Sequence, residues 1–196
     1  HACRPTVREA LIALEVEGWV EIRGGAGVFV LERAVVSAVT EVPAPVAGGV
    51  TITPGPFEVL FARDLIEPDV AALAAKHATA EQLAELSKAL GDMVCCSADD
   101  PMHVVHDRRF HFGLAEASGN SALLLAVQAL WMPREQAVYM RLEKHFHTET
   151  VWQRSILEHR EILEAVKRRD AKAARTAMHR HLKQAEMRFA SSWKEE

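Results

Sequence analysis

Residues 107–120 read DRRFHFGLAEASGN. With Val104 just upstream, Asp107, His111 and Leu114 fall at i, i+3, i+7 and i+10, one stripe of an α-helix. Ser118-Gly119 ends that helix, and Asn120 is a natural N-cap for the next. An aspartate and a histidine thus take inward positions one turn apart, flanked by apolar residues. The same anomaly recurs twice: Ile156, His159, Leu163 and Val166 form one stripe, and Ala174, Ala177/Met178, His181 and Ala185 another.

Burying one such polar group without a partner costs about 2–7 kcal/mol. Four together would unfold a marginally stable domain unless they satisfied one another. A divalent metal does so: three imidazoles and a carboxylate suit Zn, with Ni, Fe or Mn as alternatives, and leave coordination positions open. A buried Asp–His pair, or core histidines bonded to carbonyls, would fill the same stripes. His103, four residues before Asp107, is a possible substitute ligand. His106, His145, His147 and His179 lie off these stripes and are read as surface or rim.

On either side the pattern stays helical. A first helix covers about Phe57–His77, with a kink expected at Pro68. Thr79-Ala80-Glu81-Gln82 is a capping box opening a second. Asp100-Pro101 opens the third, Asn120 a fourth through Trp131, and Pro133 a fifth. A sixth covers about Thr150–Arg169, and Asp170 caps a last one reaching Phe189. The expectation for residues 57–196 is an all-α bundle of about seven helices, large enough for a real core.

Residues 34–56 hold four of the eight prolines, three of the ten glycines and one charge, Glu41, which marks a linker. Residues 1–33 form a different unit. Val7, Ala10, Leu11 and Leu14 make a helical stripe that Gly18 stops. Trp19–Arg23 and Val28–Leu31 read as the arms of a hairpin with Gly24-Gly25-Ala26-Gly27 at its tip. Arg4 and Arg8 share the face opposite the stripe, at the helix end where a recognition helix meets bases and phosphates.

Net charge is −4 over 196 residues, and residues 1–34 carry four Arg against five Glu, so no basic stripe marks a nucleic-acid surface. No apolar run approaches the ~20 residues of a membrane helix. The three cysteines, Cys3 and the adjacent Cys95 and Cys96, build no disulfide framework, which points to a reducing cytoplasm.

The stretch RPTVREALIALEVEGWVEIRGGAGVFV, residues 4–30, resembles the second half of the winged helix-turn-helix of GntR-family transcription regulators. That family shows S-R-x-T-V-R-E-A-L, then L-x-x-x-G-hydrophobic-V, then a G-x-G-x-x-V wing. The resemblance implies that Arg4, Thr6 and Arg8 contact operator DNA, and that Gly24 and Gly25 bring the wing to the minor groove. Cys3 stands where the family has serine. The family's first two helices would precede residue 1, so the chain is expected to be a fragment with a partial DNA-binding domain.

DRRFHFGLAEASGN, EHREILEAVKRRDAKAARTAM and HRHL resemble the FCD effector domain of the FadR-like branch of that family. The resemblance implies metal ligation by Asp107, His111, His159 and His181, and, through RDLIEPDVAALAAKHAT, an Arg63 near the ligand cavity. ASGN…LW…R further resembles regulators of hexuronate and related sugar-acid catabolism. The implied protein is a homodimeric repressor controlled by a small carboxylate or sugar acid. Two other classes fit the bundle alone: a metal-dependent enzyme acting on a small organic acid, and a helical interaction domain with a structural metal. Against the enzyme, no carboxylate beyond Asp107 shares the inward stripes to serve as general base.

Overall fold

The structure, a computed structural model, describes residues 11, 14, 15, 19–23, 27–30, 54–135, 139 and 148–191. Arg4, Thr6, Arg8, Gly24 and Gly25, like His145 and His147, lie outside the described residues. At the N-terminal end, β1 (Val20–Arg23) and β2 (Gly27–Val30) pair antiparallel, with Val20 opposite Val30 and Arg23 opposite Gly27. The Trp19 N–H donates to the Leu14 carbonyl at 2.8 Å. The expected stop at Gly18 lies outside the described residues.

Six α-helices follow among the described residues: α1 (Pro56–His77), α2 (Ala80–Cys95), α3 (Met102–Ala117), α4 (Ser121–Trp131), α5 (Glu149–Lys167) and α6 (Ala171–Ser191). Their ends follow local chemistry. Pro56 sits in the first turn of α1, where no N–H is needed. Thr79 and Gln82 exchange side-chain and backbone bonds as a full capping box. Asn120 Oδ1 accepts from the N–H groups of Ala122 and Leu123, and Asp170 Oδ1 accepts from Ala173. α1 continues through Pro68, where a kink was expected. At Pro133, where a helix was expected to open, Met132–Glu135 form a 3₁₀ turn, and residues 136–138 and 140–147 lie outside the described residues.

The core is one cluster to which every α-helix contributes, built around Phe110, Trp131, Trp152, Leu86, Met93, Ile162 and Leu163. α1 and α6 share the most extensive contact, lined on α1 by the fully buried Ala71, Ala74 and Ala75, whose small side chains let the helices approach closely. They run antiparallel: Asp64 bonds His179 and Lys183, and Asp69 bonds Arg175. At the other side, Trp152 Nε1 donates to the Cys96 carbonyl at 2.9 Å and holds α5 against the α2–α3 turn. α3 therefore lies inside the bundle, in contact with α1, α2 and α4. Its inward polar residues face other helices rather than water.

α3 ends at Gly119, whose φ of 74° lies in the left-handed region, with nothing within 4 Å of where a Cβ would stand. Replacing it costs backbone strain and no clash. Gly119→Ala should therefore lower stability by about 1–2 kcal/mol in urea unfolding. Gly119→Asn should lose less, because asparagine tolerates that conformation.

Candidate metal and effector centre

Asp107 and His111 come from α3, His159 from α5 and His181 from α6, all four buried. His111 and His159 are 1 % and 0 % exposed. His111, His159 and His181 each offer a ring nitrogen within 4.8 Å of the other two. Asp107 Oδ1 is 3.0 Å from His159 Nε2 and 3.7 Å from His111 Nε2. The structure thus brings together all four residues expected as ligands.

What lies behind each ring fixes its tautomer. His111 Nδ1 meets Glu67 Oε2 at 2.5 Å, His159 Nδ1 meets the Ser155 carbonyl at 2.7 Å, and His181 Nδ1 meets Glu158 Oε2 at 2.8 Å. Carbonyls and carboxylates only accept, so each Nδ1 carries the proton and donates. A neutral imidazole then has a bare Nε2. His159 Nε2 and His111 Nε2 are 3.2 Å apart, and Asp107 Oδ1 is buried beside them without a hydrogen bond of adequate geometry. Arg63 Nη2 is the nearest other donor, at 3.4 and 3.5 Å from the two nitrogens of His111, so it lies across the ring rather than at its lone pair. Among the described residues, three acceptors converge without a donor between them. A divalent cation fits that donor set, and imidazole backed by carboxylate or carbonyl is the usual outer shell of such a site.

Glu67 and Arg63 lie on the buried stripe of α1. Arg63 Nε donates to Glu67 Oε1 at 2.6 Å, and Trp131 Nε1 reaches the same oxygen at 3.4 Å. Burial pushes the Glu67 carboxyl up, but the Arg63 charge and the hydrogen bonds from His111 and Arg63 hold it far below its ordinary value. Asp107 behaves alike: burial raises it, while His159, Arg134 and His111 leave it well below. Glu158, bonded to His181 and Arg188, is held at about 2 despite its burial. Burial and then the neighbouring His159 push His181 down to about 3, and burial outweighs Glu67 in lowering His111.

Several residues had no role in the sequence reading. Glu67 stands one helical turn from Arg63 and pairs with it. Glu158, Ser155 and Arg188 were not singled out, although Glu158 lies one residue before His159. Arg134 and Trp131 entered only as letters of a motif. In the structure Arg134 Nη1 donates to Asp107 Oδ2 at 3.1 Å, and both Arg134 and Arg63 place Cζ over the Trp131 ring, at 4.2 and 4.3 Å. His103, the possible substitute ligand, lies outside the cluster of His111, His159 and His181; its Nδ1 meets the Asp100 carbonyl and its ring packs against Trp152. His106 sits half-buried 4.0 Å from Asp92, and the exposed His179 pairs with Asp64. Both stay out of the centre, as expected.

Residues 58–184 match the FCD domain, and residues 1–30 match the bacterial regulatory proteins of the gntR family. The chain is 36 % identical over 189 residues to the Uxu operon transcriptional regulator of Escherichia coli strain K12, covering 95 % of this chain and 72 % of that regulator. It is 31 % identical over 181 residues to the HTH-type transcriptional repressor NanR of Salmonella newport, covering 91 % and 68 % of the two chains. Among solved structures, Streptococcus agalactiae GntR aligns at a TM-score of 0.53 and 28 % identity, over 95 % of this chain and 82 % of that one. Escherichia coli McbR/YncC shares the fold, at a TM-score of 0.58 and 18 % identity over 97 % and 87 % of the two chains. These matches define a transcription regulator, not an enzyme. The chain belongs to the GntR family, in the branch that carries an FCD domain.

The buried histidines make metal-free stability depend on pH. In the unfolded chain His111 and His181 bind protons near their ordinary 6.5, whereas in the fold they bind them only at lower pH. The unfolded state then holds more protons below about pH 6.5, and stability falls as pH falls. The lowered carboxylates of Glu67, Asp107 and Glu158 act with the same sign further down. The melting temperature of the metal-free chain should drop steadily from pH 7.5 to pH 5. A flat or rising profile would contradict neutral, buried imidazoles.

Proposed function

We propose that this chain is part of a ligand-responsive transcriptional repressor that binds a near-palindromic operator as a homodimer. In this reading Arg4, Thr6 and Arg8 read the DNA, and Gly24 and Gly25 shape the wing. The helical domain holds one divalent metal, Zn in the first instance, at Asp107, His111, His159 and His181. When bound, the metal supplies a Lewis-acid docking point for a small carboxylate or sugar acid. Arg63, buried within 3.5 Å of His111, is the group to take a second oxygen of that effector. The observation that carries the reading is the convergence of two imidazole Nε2 atoms and a carboxylate oxygen, with no donor between them among the described residues. The relatives named as operon regulators and as a repressor support the regulatory sense. Cytoplasmic location follows from acting on DNA in a bacterium, and no helix of the described residues is long and apolar enough to cross a membrane.

Because three helices supply the ligands, metal binding ties α3, α5 and α6 together, and an effector completing the coordination acts on all three. Protein purified without chelator or affinity tag should carry about one divalent metal per chain by elemental analysis. His111→Ala should weaken binding beyond the about 10–100-fold typical of outer-shell changes, while His106→Ala and His179→Ala leave it intact. A stoichiometry near zero that added Zn, Ni or Mn does not raise would contradict the metal.

Arg63 requires a charge-conserving test, because Arg63→Leu would strand the Glu67 carboxylate in the core. Arg63→Lys should keep the fold and DNA binding yet blunt effector-dependent release from operator DNA, measured by fluorescence anisotropy. An unchanged effector response would remove Arg63 from the site.

A further inference from the structure

Each carboxylate around the histidines carries an arginine. Glu67 pairs with Arg63 at 2.6 Å, Asp107 with Arg134 at 3.1 Å and Glu158 with Arg188 at 2.8 Å. With the rings neutral, three negative and three positive charges cancel. A dication at the ring nitrogens therefore adds a charge that these groups leave uncompensated. Asp107 differs from the other two because it faces the ring nitrogens itself. Its oxygens are divided: Oδ1 lies toward His159 and His111, and Oδ2 is taken by Arg134 Nη1. Arg134 is held in place, 8 % exposed and 4.2 Å above Trp131, on the 3₁₀ turn that directly follows α4.

We propose that Arg134 is a positioning residue that keeps Asp107 a one-oxygen ligand and cancels its charge, leaving the centre open to chelating anions such as dicarboxylates and α-hydroxy acids. The proposal rests on the metal reading above and adds a trade-off to it. A fixed guanidinium 3.1 Å from a ligand carboxylate works against cation binding and in favour of anion binding. A side chain that merely supported packing would help both.

The test uses Co²⁺ as the metal probe, because its visible bands report coordination, with oxalate and acetate as anion probes. The wild-type chain should bind Co²⁺, and oxalate should shift the bands and bind at least about tenfold tighter than acetate. In Arg134→Gln, Co²⁺ affinity should be unchanged or higher, oxalate should bind at least about tenfold more weakly, and the oxalate-free bands should shift. Parallel loss of Co²⁺ and oxalate affinity, or unchanged oxalate binding, overturns the proposal. Wild-type protein that binds Co²⁺ but not oxalate also overturns it, and leaves the metal reading standing. Wild-type protein that binds no Co²⁺ removes the metal reading and this inference together. If Arg134→Gln does not fold, Arg134→Lys carries the test. It keeps the charge without the planar fork, so the Co²⁺ bands should shift while oxalate affinity stays near wild type. Unchanged bands in that variant overturn the proposal.

Discussion

Two imidazole nitrogens and a carboxylate oxygen, 3.0–3.7 Å apart and with no donor between them among the described residues, are the constraint around which this bundle is arranged. Like partial charges at that distance repel, and a buried site screens that repulsion weakly. The arrangement persists because each ring is held from behind. Glu67, the Ser155 carbonyl and Glu158 take the Nδ1 protons, and each of these anchors belongs to a helix that also packs the core. The strain at the centre is thereby offset by hydrogen bonds one layer out.

That layer explains why α1 matters as much as the helices that supply the four central residues. Its buried stripe carries Arg63 and Glu67 between Leu60 and Val70, and a lone buried carboxylate there would be untenable. The pair is acceptable because Arg63 bonds Glu67 through its Nε and Nη2, Trp131 donates to the carboxylate, and His111 takes its remaining oxygen. Trp131 links this pair to the Arg134–Asp107 pair through the two guanidiniums over its ring. The centre is thus joined by direct contacts to α1, α3, α4, α5 and α6.

Much of this was legible in the sequence, for identifiable reasons. Helix ends are local chemistry, so the capping box at Thr79, the cap at Asn120 and the cap at Asp170 could be read and are present. Helical periodicity is equally local, and it placed Asp107, His111, His159 and His181 on inward stripes where the structure has them. His103, the possible substitute ligand, lies outside the three-histidine cluster and packs its ring against Trp152 of α5, a contact that spacing on one helix does not reveal. The helix expected from Pro133 falls largely on residues outside the described ones, where only the first turn, Met132–Glu135, is seen.

The sequence by itself determined which residues face inward, since a 3.6-residue repeat converts spacing into direction. It also determined the family, through motifs that span nearly the whole chain. Only the tertiary structure decided which inward residues meet. Glu67 lies 44 positions from His111, Glu158 lies 23 from His181, and Arg134 lies 27 from Asp107. No local rule links such pairs, because their contact depends on how α1, α4 and α6 cross α3 and α5. The protonation of the rings follows the same logic. A histidine's tautomer is set by whatever its second nitrogen meets, and here two of the three partners, Glu67 and Glu158, come from another helix.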